Sequence, residues 1–312
     1  GIPLDVSVSF VFLFVLFGAL LERAGAGKYF LDLAFAMVGG YRGGPAKAAI
    51  LASGMTGTIS GSSIANVVTT GTFTIPVMRK MGMPAVKAGA IEVAASTNGQ
   101  LMPPIMGAAA FIMAEYIGIS YMEVVKAAIV PALISYMALL YISHLEALKL
   151  DLKGMPRADI PHLWKTFISG LHYLLPIIVL VYLLMIKRWT PGSAVFYSIL
   201  FLMGIILVQH FWRPNKAEDS IWTRFKSGAT DVIQGMVSGT RNMITIGVAV
   251  ATAGIIVGAV SSTGLNNAMV GLVEAIAGNN IYLLLGLTAL LCLILGIGLP
   301  TTANYLVVAS LM

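Results

Sequence analysis

Residues 54–63 read Gly-Met-Thr-Gly-Thr-Ile-Ser-Gly-Ser-Ser and lie in the middle of a moderately apolar segment, 46–78. A helix that crossed a bilayer here would carry hydroxyls and glycines at a depth where no water is available. A backbone break at that depth persists only where protein, water or a ligand satisfies the freed N–H and C=O groups. The stretch therefore predicts a re-entrant helical hairpin over 46–78 rather than one continuous crossing.

The composition supports a membrane setting for this hairpin. Of the 312 residues, 58% are hydrophobic and only 10% are charged, whereas soluble domains carry about 25% charged residues. The charges lie in short clusters between long apolar runs. We therefore interpret the net charge of +6 as a topology signal and not as a sign of nucleic-acid binding. The predicted fold class is an all-α, polytopic membrane protein.

Five apolar runs are long enough to cross about 30 Å of hydrocarbon at about 1.5 Å per residue. A shorter apolar run, 28–40, predicts an interfacial helix. The predicted spans are 5–22, 121–142, 166–186, 192–211 and 232–260, and polar loops are predicted at 143–165 and 212–231.

Two further segments are interrupted in the same way as the first hairpin. Residues 84–115 have the length of one long span, yet Ser-Thr-Asn-Gly-Gln at 96–100 and a Pro-Pro pair fall within them. Residues 281–312 are interrupted by Gly-Ile-Gly-Leu-Pro-Thr-Thr-Ala-Asn at 296–304. We predict a broken helix in the first segment and a second hairpin, truncated by the end of the chain, in the other.

The basic residues provide a test of this topology. If both arms of the first hairpin start and end on the cytoplasmic side, Lys126, Lys187 and Arg188 lie outside and Arg241 lies within a span, and all other Lys and Arg lie inside. This is a strong positive-inside bias. A single crossing over 46–78 would weaken it.

The two hairpin segments resemble each other. Ser-Ser-Ile-Ala-Asn at 62–66 compares with Thr-Thr-Ala-Asn at 301–304, and both follow a glycine-rich break. In this topology the hairpins open to opposite sides of the membrane, as in the inverted repeats of secondary transporters. We divide the chain into a first repeat at 1–142, polar loops and connecting spans at 143–231, and a second repeat at 232–312.

The first candidate site is the hairpin tip at Ser60–Ser63 together with Asn66. A helix N-terminus in mid-membrane favours an anion such as a carboxylate, and hydroxyl and carbonyl oxygens suit a hard cation such as Na⁺. The alternative is helix packing without a ligand, because Gly57 and Gly61 have the spacing of a close helix contact.

Two more candidate sites lie at the other interruptions. Prolines at 103 and 104 free upstream carbonyls, which can complete a cation site beside the hairpin; the alternative is a kink satisfied by neighbouring helices. The second hairpin tip should hold a second cation site by pseudo-symmetry and face the substrate.

Two charged residues fall within apolar segments. Glu92 lies about one turn before Thr97, and Arg241 lies at the start of a predicted span. Charges at membrane depth are costly and usually functional, so either residue could relay a proton, act as a counter-ion or form a gating pair. The alternative is that each lies near the interface.

Signals of an enzyme are missing from the sequence. It contains no phosphate-binding loop, no H-E-x-x-H motif and no G-x-S-x-G motif. Cys292 is the single cysteine, and the four histidines do not have metal-ligand spacing. We expect no enzymatic activity and no cofactor. An intramembrane enzyme or a channel-like module is the alternative of a different class.

The runs at 52–63, 95–104 and 298–304 resemble the large membrane subunit of tripartite ATP-independent periplasmic (TRAP) transporters, and in particular the fused permease of the TAXI subgroup. The resemblance covers essentially the whole chain. It implies a Na⁺-coupled elevator-type symporter in the inner membrane of a bacterium or archaeon, to which a periplasmic binding protein delivers a carboxylate. A related carrier that works without a binding protein is the alternative.

The resemblance also implies partners and site residues. A small four-helix subunit is commonly fused at the N-terminus in the TAXI subgroup, and we expect this chain to lack that subunit and the end of its second repeat. Na⁺ is expected at Ser60, Ser63, Asn66, Thr97 and Gly99, and at Gly298, Thr301 and Asn304. The full set of candidate substrate- and ion-binding residues adds Gly61, Ser62, Asn98, Pro103, Pro300 and Thr302 to these.

Overall fold

The part of the chain that the structure describes is almost entirely helical. The computed structural model describes residues 11–212, 221–264, 271, 275–278, 280–297 and 301–311, and no strand occurs among them. The α-helices are α1 Phe12–Ala24, α2 Ala26–Val38, α3 Gly44–Ser60, α4 Ser63–Lys80, α5 Ala85–Gly99, α6 Ala108–Ile117, α7 Tyr121–Lys149, α8 Leu163–Ser169, α9 Leu171–Met185, α10 Pro191–Trp212, α11 Ile221–Ser262, α12 Ile281–Gly296 and α13 Thr301–Leu311.

Two helices, α7 and α10, are long and apolar enough to cross a membrane, among the residues described. Large apolar side chains on them point outwards: Ile134 is 62% exposed and Met137 is 68% exposed. A soluble protein rarely leaves so much apolar surface in contact with water. The apolar exterior therefore supports a protein embedded in lipid.

The predicted span at 166–186 is not one helix. It is divided at Gly170 into α8 and α9, which meet at an angle of 52°. A Cβ on Gly170 would lie 2.0 Å from Cδ2 of Tyr29, so the ring of Tyr29 occupies the space that a larger residue would need. Counted as one broken span, this pair is a third candidate for crossing the membrane.

The structure also differs from the prediction of a polar loop at 212–231. From Ile221 onwards it is helical, and it continues into the predicted span at 232–260 as the 42-residue helix α11. Packing on α10 explains this extension. A Cβ on Gly228 would lie 3.1 Å from the Cα of Leu207, and His210 Nε2 lies 2.9 Å from Asp231 Oδ2.

The buried apolar residues form separate clusters. The largest contains Phe14, Phe17 and Phe111 and joins α1 with α6, α9, α10 and α11, with further residues from α2, α3, α7 and α13. A second contains Ile50, Ile91 and Tyr136 and joins α3, α4, α5 and α7. The candidate site residues of the first repeat lie on α3, α4 and α5 and in the links that follow α3 and α5.

Candidate functional site

Helices α3 and α4 form a tight antiparallel hairpin. Helix α3 ends at Ser60, and Gly61 has φ 60° and ψ 0°, a left-handed conformation that favours glycine. Ser62 is extended, and its hydroxyl accepts a hydrogen bond from the N–H of Ala65 at 3.3 Å, which caps the start of α4. Ser53 Oγ and Thr70 Oγ1 lie 3.2 Å apart across the two arms. The Gly-Ser pair thus reverses the chain.

The hairpin tip borders a cavity of about 620 Å³ between α1, α4 and α11, which has both polar and apolar lining residues. The three tip serines are half-buried, and Ser60 donates a hydrogen bond to the carbonyl of Ser62 at 3.4 Å. Ser63 is the first residue of α4. Polar side chains of the tip and of α11 that line the cavity are those of Ser60, Ser62, Ser238, Asn242 and Thr245.

Asn66 lies inside the hairpin and is only 1% exposed. Its Nδ2 donates a hydrogen bond to the carbonyl of Ser53 on the opposite arm at 2.9 Å. Its Oδ1 is buried and has no hydrogen-bond partner among the described residues. A buried acceptor without a partner is costly, so this oxygen is free to bind a ligand.

The end of α5 packs directly on the hairpin. A Cβ on Gly99 would lie 3.1 Å from Asn66 Nδ2 and 3.3 Å from the carbonyl oxygen of Ser53. The structure therefore brings Asn66 and Gly99, both predicted site residues, next to each other. Thr97 does not share this position, because it is exposed and its hydroxyl donates to the carbonyl of Val93 at 2.8 Å.

The interruption after α5 is a short non-helical link that ends before α6. Pro103 is half-buried in this link, as is Asn98 at the end of α5. The hydroxyl of Tyr121 donates to the carbonyl of Pro104 at 2.9 Å and also contacts that of Ile105. The Tyr121 side chain thus satisfies two of the backbone carbonyls in this link. This agrees with the alternative that the proline pair forms a kink whose carbonyls bind neighbouring helices and not a ligand.

The second hairpin contains a similar arrangement. Nδ2 of Asn304 on α13 donates to the carbonyl of Cys292 on α12 at 3.2 Å, and its Oδ1 is buried without a hydrogen-bond partner among the described residues. The asparagine and the residue whose carbonyl it contacts are 12 residues apart in the second hairpin and 13 residues apart in the first. Thr301 is exposed and Thr302 half-buried. The predicted site residues Gly298 and Pro300 lie outside the described residues.

The structure adds a cluster that motif analysis did not assemble. Glu92 is 0% exposed, and its carboxylate is surrounded by hydroxyls from α3, α4 and α5. The residues that contribute them are Ser53, Thr70, Thr74 and Ser96. The spacing of four residues between Thr70 and Thr74, and between Glu92 and Ser96, is the signal that could have revealed the cluster. Arg241, in contrast, is exposed on α11.

Comparison of the sequence with known proteins assigns the chain to a family. The model of the tripartite ATP-independent periplasmic transporter DctM component matches residues 2–312. The 2,3-diketo-L-gulonate TRAP transporter large permease protein YiaN of Escherichia coli is 26% identical over 168 residues, which cover 54% of this chain and 39% of that protein.

The C4-dicarboxylate TRAP transporter large permease protein DctM of Pseudomonas aeruginosa is 30% identical over 184 residues, which cover 58% of this chain and 42% of that protein. The matched stretches thus cover about two-fifths of the length of these two relatives. The family model extends over nearly every residue of the chain, including both hairpins. The chain belongs to the DctM, or large permease, family of tripartite ATP-independent periplasmic transporters.

Proposed function

We propose that this chain forms the substrate-translocating part of a Na⁺-coupled secondary transporter. The transporter imports a small organic anion that carries a carboxylate and is delivered by a periplasmic binding protein. It acts as a multi-pass symporter in the inner membrane of a bacterium or archaeon.

The observation that carries this proposal is the shared geometry of Asn66 and Asn304. In each hairpin the asparagine amide binds a carbonyl of the opposite arm and leaves a buried carbonyl oxygen, Oδ1, without a hydrogen-bond partner among the described residues. Oxygen ligands of this kind suit a hard cation. The charge pattern predicts that the two hairpins open to opposite sides of the membrane, and one such oxygen in each supports two Na⁺ sites related by an inverted repeat.

The carboxylate substrate is supported by the surroundings of the first tip. The tip lies at the N-terminus of α4, where unpaired backbone N–H groups favour a negative charge. The wall of the adjoining cavity of about 620 Å³ includes hydroxyls, the amide of Asn242 and the side chain of Arg23, which can donate hydrogen bonds to carboxylate oxygens, and also the acidic side chain of Glu22. Two relatives are named for 2,3-diketo-L-gulonate and C4-dicarboxylate, both carboxylates.

Family membership and the packing support an elevator mechanism and the partners that we propose. Helices α3, α4, α5 and α7 share one hydrophobic cluster. Helices α1, α9, α10 and α11 share the largest cluster, to which Ile59 of α3 and Tyr121 of α7 also belong. We assign the first group to the moving part and the second to the scaffold. A small four-helix membrane subunit, fused as in the TAXI subgroup, completes the transporter.

The test uses the full-length transporter and its binding protein in proteoliposomes with labelled carboxylates. Uptake should require both an inward Na⁺ gradient and the loaded binding protein. Uptake that is equal in Na⁺ and K⁺ would contradict the coupling. Uptake that proceeds without the binding protein would instead identify a carrier that works alone.

A further inference from the structure

Glu92 carries a buried carboxyl group beside the first hairpin and is 0% exposed. Its Oε1 accepts hydrogen bonds from Ser53 at 3.1 Å and from Ser96 at 3.3 Å, and it also contacts the hydroxyl of Thr70. Its Oε2 accepts a hydrogen bond from Thr74 at 2.5 Å. The four hydroxyls lie on α3, α4 and α5, so the carboxyl joins both arms of the hairpin to the helix behind them.

The four neighbours of this carboxyl are all hydrogen-bond donors. An ionised carboxylate can only accept hydrogen bonds, and each hydroxyl has one proton to give. Hydrogen bonds to a charged acceptor are stronger than those between neutral groups. The hydroxyl cluster therefore suits the ionised form of Glu92 and holds one negative charge among the packed helices.

The basic residues near this charge on α3 and α5 are engaged with α7. Lys47 on α3 contacts His144 at 3.1 Å, and Lys87 on α5 pairs with Glu146. Both contacts lie between side chains that are at least partly accessible, and neither includes Glu92.

The basic residues of α4, Arg79 and Lys80, are exposed in its last turn. Within the described part of the chain, no ion pair includes Glu92. A buried charge is costly without a partner of opposite sign. The negative charge of Glu92 therefore favours the binding of a cation nearby.

Two residues connect the Glu92 carboxylate to Asn66. Ser53 donates its hydroxyl to Glu92, while its carbonyl accepts a hydrogen bond from Asn66 Nδ2 at 2.9 Å. Thr70 Oγ1 contacts Glu92 and also lies 2.8 Å from the carbonyl oxygen of Asn66. Thr70 follows Asn66 by one turn of α4, an axial distance of about 6 Å. The carboxylate thus lies about one helical turn from Asn66.

The same contacts orient the amide of Asn66, which is 1% exposed. Because Nδ2 is directed at the carbonyl of Ser53, Oδ1 lies on the other side of the amide group, buried and without a hydrogen-bond partner among the described residues. Rotation of the amide by half a turn would place Oδ1 against the Ser53 carbonyl, where two acceptors repel each other. A free oxygen ligand and a buried negative charge about one turn apart together attract a hard cation.

We propose that Glu92 is the positioning residue and the counter-charge of the Na⁺ site at Asn66. Its carboxylate does not bind the ion, because hydroxyls occupy its oxygens. It attracts the ion through space and holds Ser53 and Thr70 in place beside Asn66. This role rests on the proposed function, since Glu92 can assist only if the first hairpin binds Na⁺.

Stabilisation of the purified full-length protein by Na⁺ tests this role. The melting temperature is measured as NaCl replaces KCl at constant ionic strength, and the Na⁺ concentration that gives half of the increase reports the affinity. Glu92→Gln keeps the shape of the side chain and removes the charge, so we expect this concentration to rise about tenfold. Glu115→Gln should leave it unchanged, because Glu115 is exposed on α6. The same half-point in the wild type and in Glu92→Gln would overturn the proposal.

A matched pair of threonine variants separates positioning from a merely structural role. Thr70 and Thr74 both contact the Glu92 carboxylate, but of these two only Thr70 also contacts the main chain of Asn66. Thr70→Val and Thr74→Val each remove one hydroxyl and keep the charge, so both should lower the melting temperature without Na⁺. Thr70→Val should in addition raise the Na⁺ half-point about threefold. Equal half-points in the two variants would contradict the positioning role, and this comparison does not require Glu92→Gln to fold.

The wild-type protein separates this proposal from the proposed function. A wild type that Na⁺ does not stabilise would contradict Na⁺ binding itself, and with it the role of Glu92. A wild type that Na⁺ stabilises, together with an unchanged half-point in Glu92→Gln, would overturn the role of Glu92 alone.

Discussion

Gly57 on α3 and Gly99 at the end of α5 meet main chain to main chain. A Cβ on Gly57 would lie 2.4 Å from the Cα of Gly99, and a Cβ on Gly99 would lie 2.9 Å from the Cα of Gly57. Neither position has room for a side chain. This contact holds the C-terminal end of α5 against the hairpin, and Gly99 fills the space beside Asn66.

Replacing either of these glycines by alanine should push α3 and α5 apart. Forced overpacking of this kind costs about 1–3 kcal/mol, and we expect a lower melting temperature for Gly57→Ala and Gly99→Ala in detergent. The matched control is Gly89→Ala on α5, where an added Cβ meets no atom within 4 Å. That variant should melt at or above the wild-type temperature, because alanine favours helix over glycine. An equal decrease in melting temperature in all three variants would contradict a close contact between Gly57 and Gly99.

The two hairpin asparagines should control stabilisation by Na⁺. We expect NaCl to raise the melting temperature of the full-length protein relative to KCl at equal ionic strength, because a ligand that binds the folded state stabilises it. Asn66→Ala and Asn304→Ala should each reduce this difference. Asn280→Ala should leave it unchanged, since Asn280 is exposed and accepts hydrogen bonds from the N–H groups of Tyr282 and Leu283. A Na⁺ effect that survives both hairpin variants would place the cation elsewhere.

An ion pair connects α1 to α11. Arg23 Nη2 lies 2.9 Å from Asp231 Oδ1, and the Asp231 side chain is 20% exposed. A double-mutant cycle with Arg23→Gln and Asp231→Asn should show a coupling of about 1 kcal/mol or less, weakened by salt. The control is the pair of Arg42 and Asp151. The Asp151 side chain is 84% exposed, so we expect a smaller coupling free energy for this pair. A larger coupling in the control pair would contradict this ranking.

The bend at Gly170 should depend on the ring of Tyr29. An alanine at 170 would place its Cβ inside that ring, so Gly170→Ala should destabilise the protein or displace α2. The hydrogen bond from the Tyr29 hydroxyl to the carbonyl of Phe167, at 3.2 Å, would also be disturbed. Combining Gly170→Ala with Tyr29→Ala should cost less than the sum of the two single changes. Strict additivity of the melting-temperature shifts would show that the two residues act separately.

Local sequence accounts for much of the helix pattern. Helix α3 ends at Ser60, where Gly61 adopts a left-handed conformation and Ser62 caps the next helix, because these preferences depend on the residue and its immediate neighbours. The apolar runs at 121–142 and 192–211 likewise lie within the long helices α7 and α10. The departures at 166–186 and 212–231 both occur where a glycine packs against another helix, and periodicity carries no information about such a contact. Helix α7 also continues to Lys149, into the predicted polar loop at 143–165.

The sequence by itself determined the helical class, the apolar surface and the breaks at 61–62 and 100–107, since each depends on composition or on residues within one or two turns. Only the tertiary structure decided which of those residues meet. Glu92 is separated from Ser53 by 39 residues and from Thr70 by 22, and its hydroxyl neighbours come from three helices. Spacing within one helix shows which side chains share a face, but the packing of one helix on another decides what that face touches.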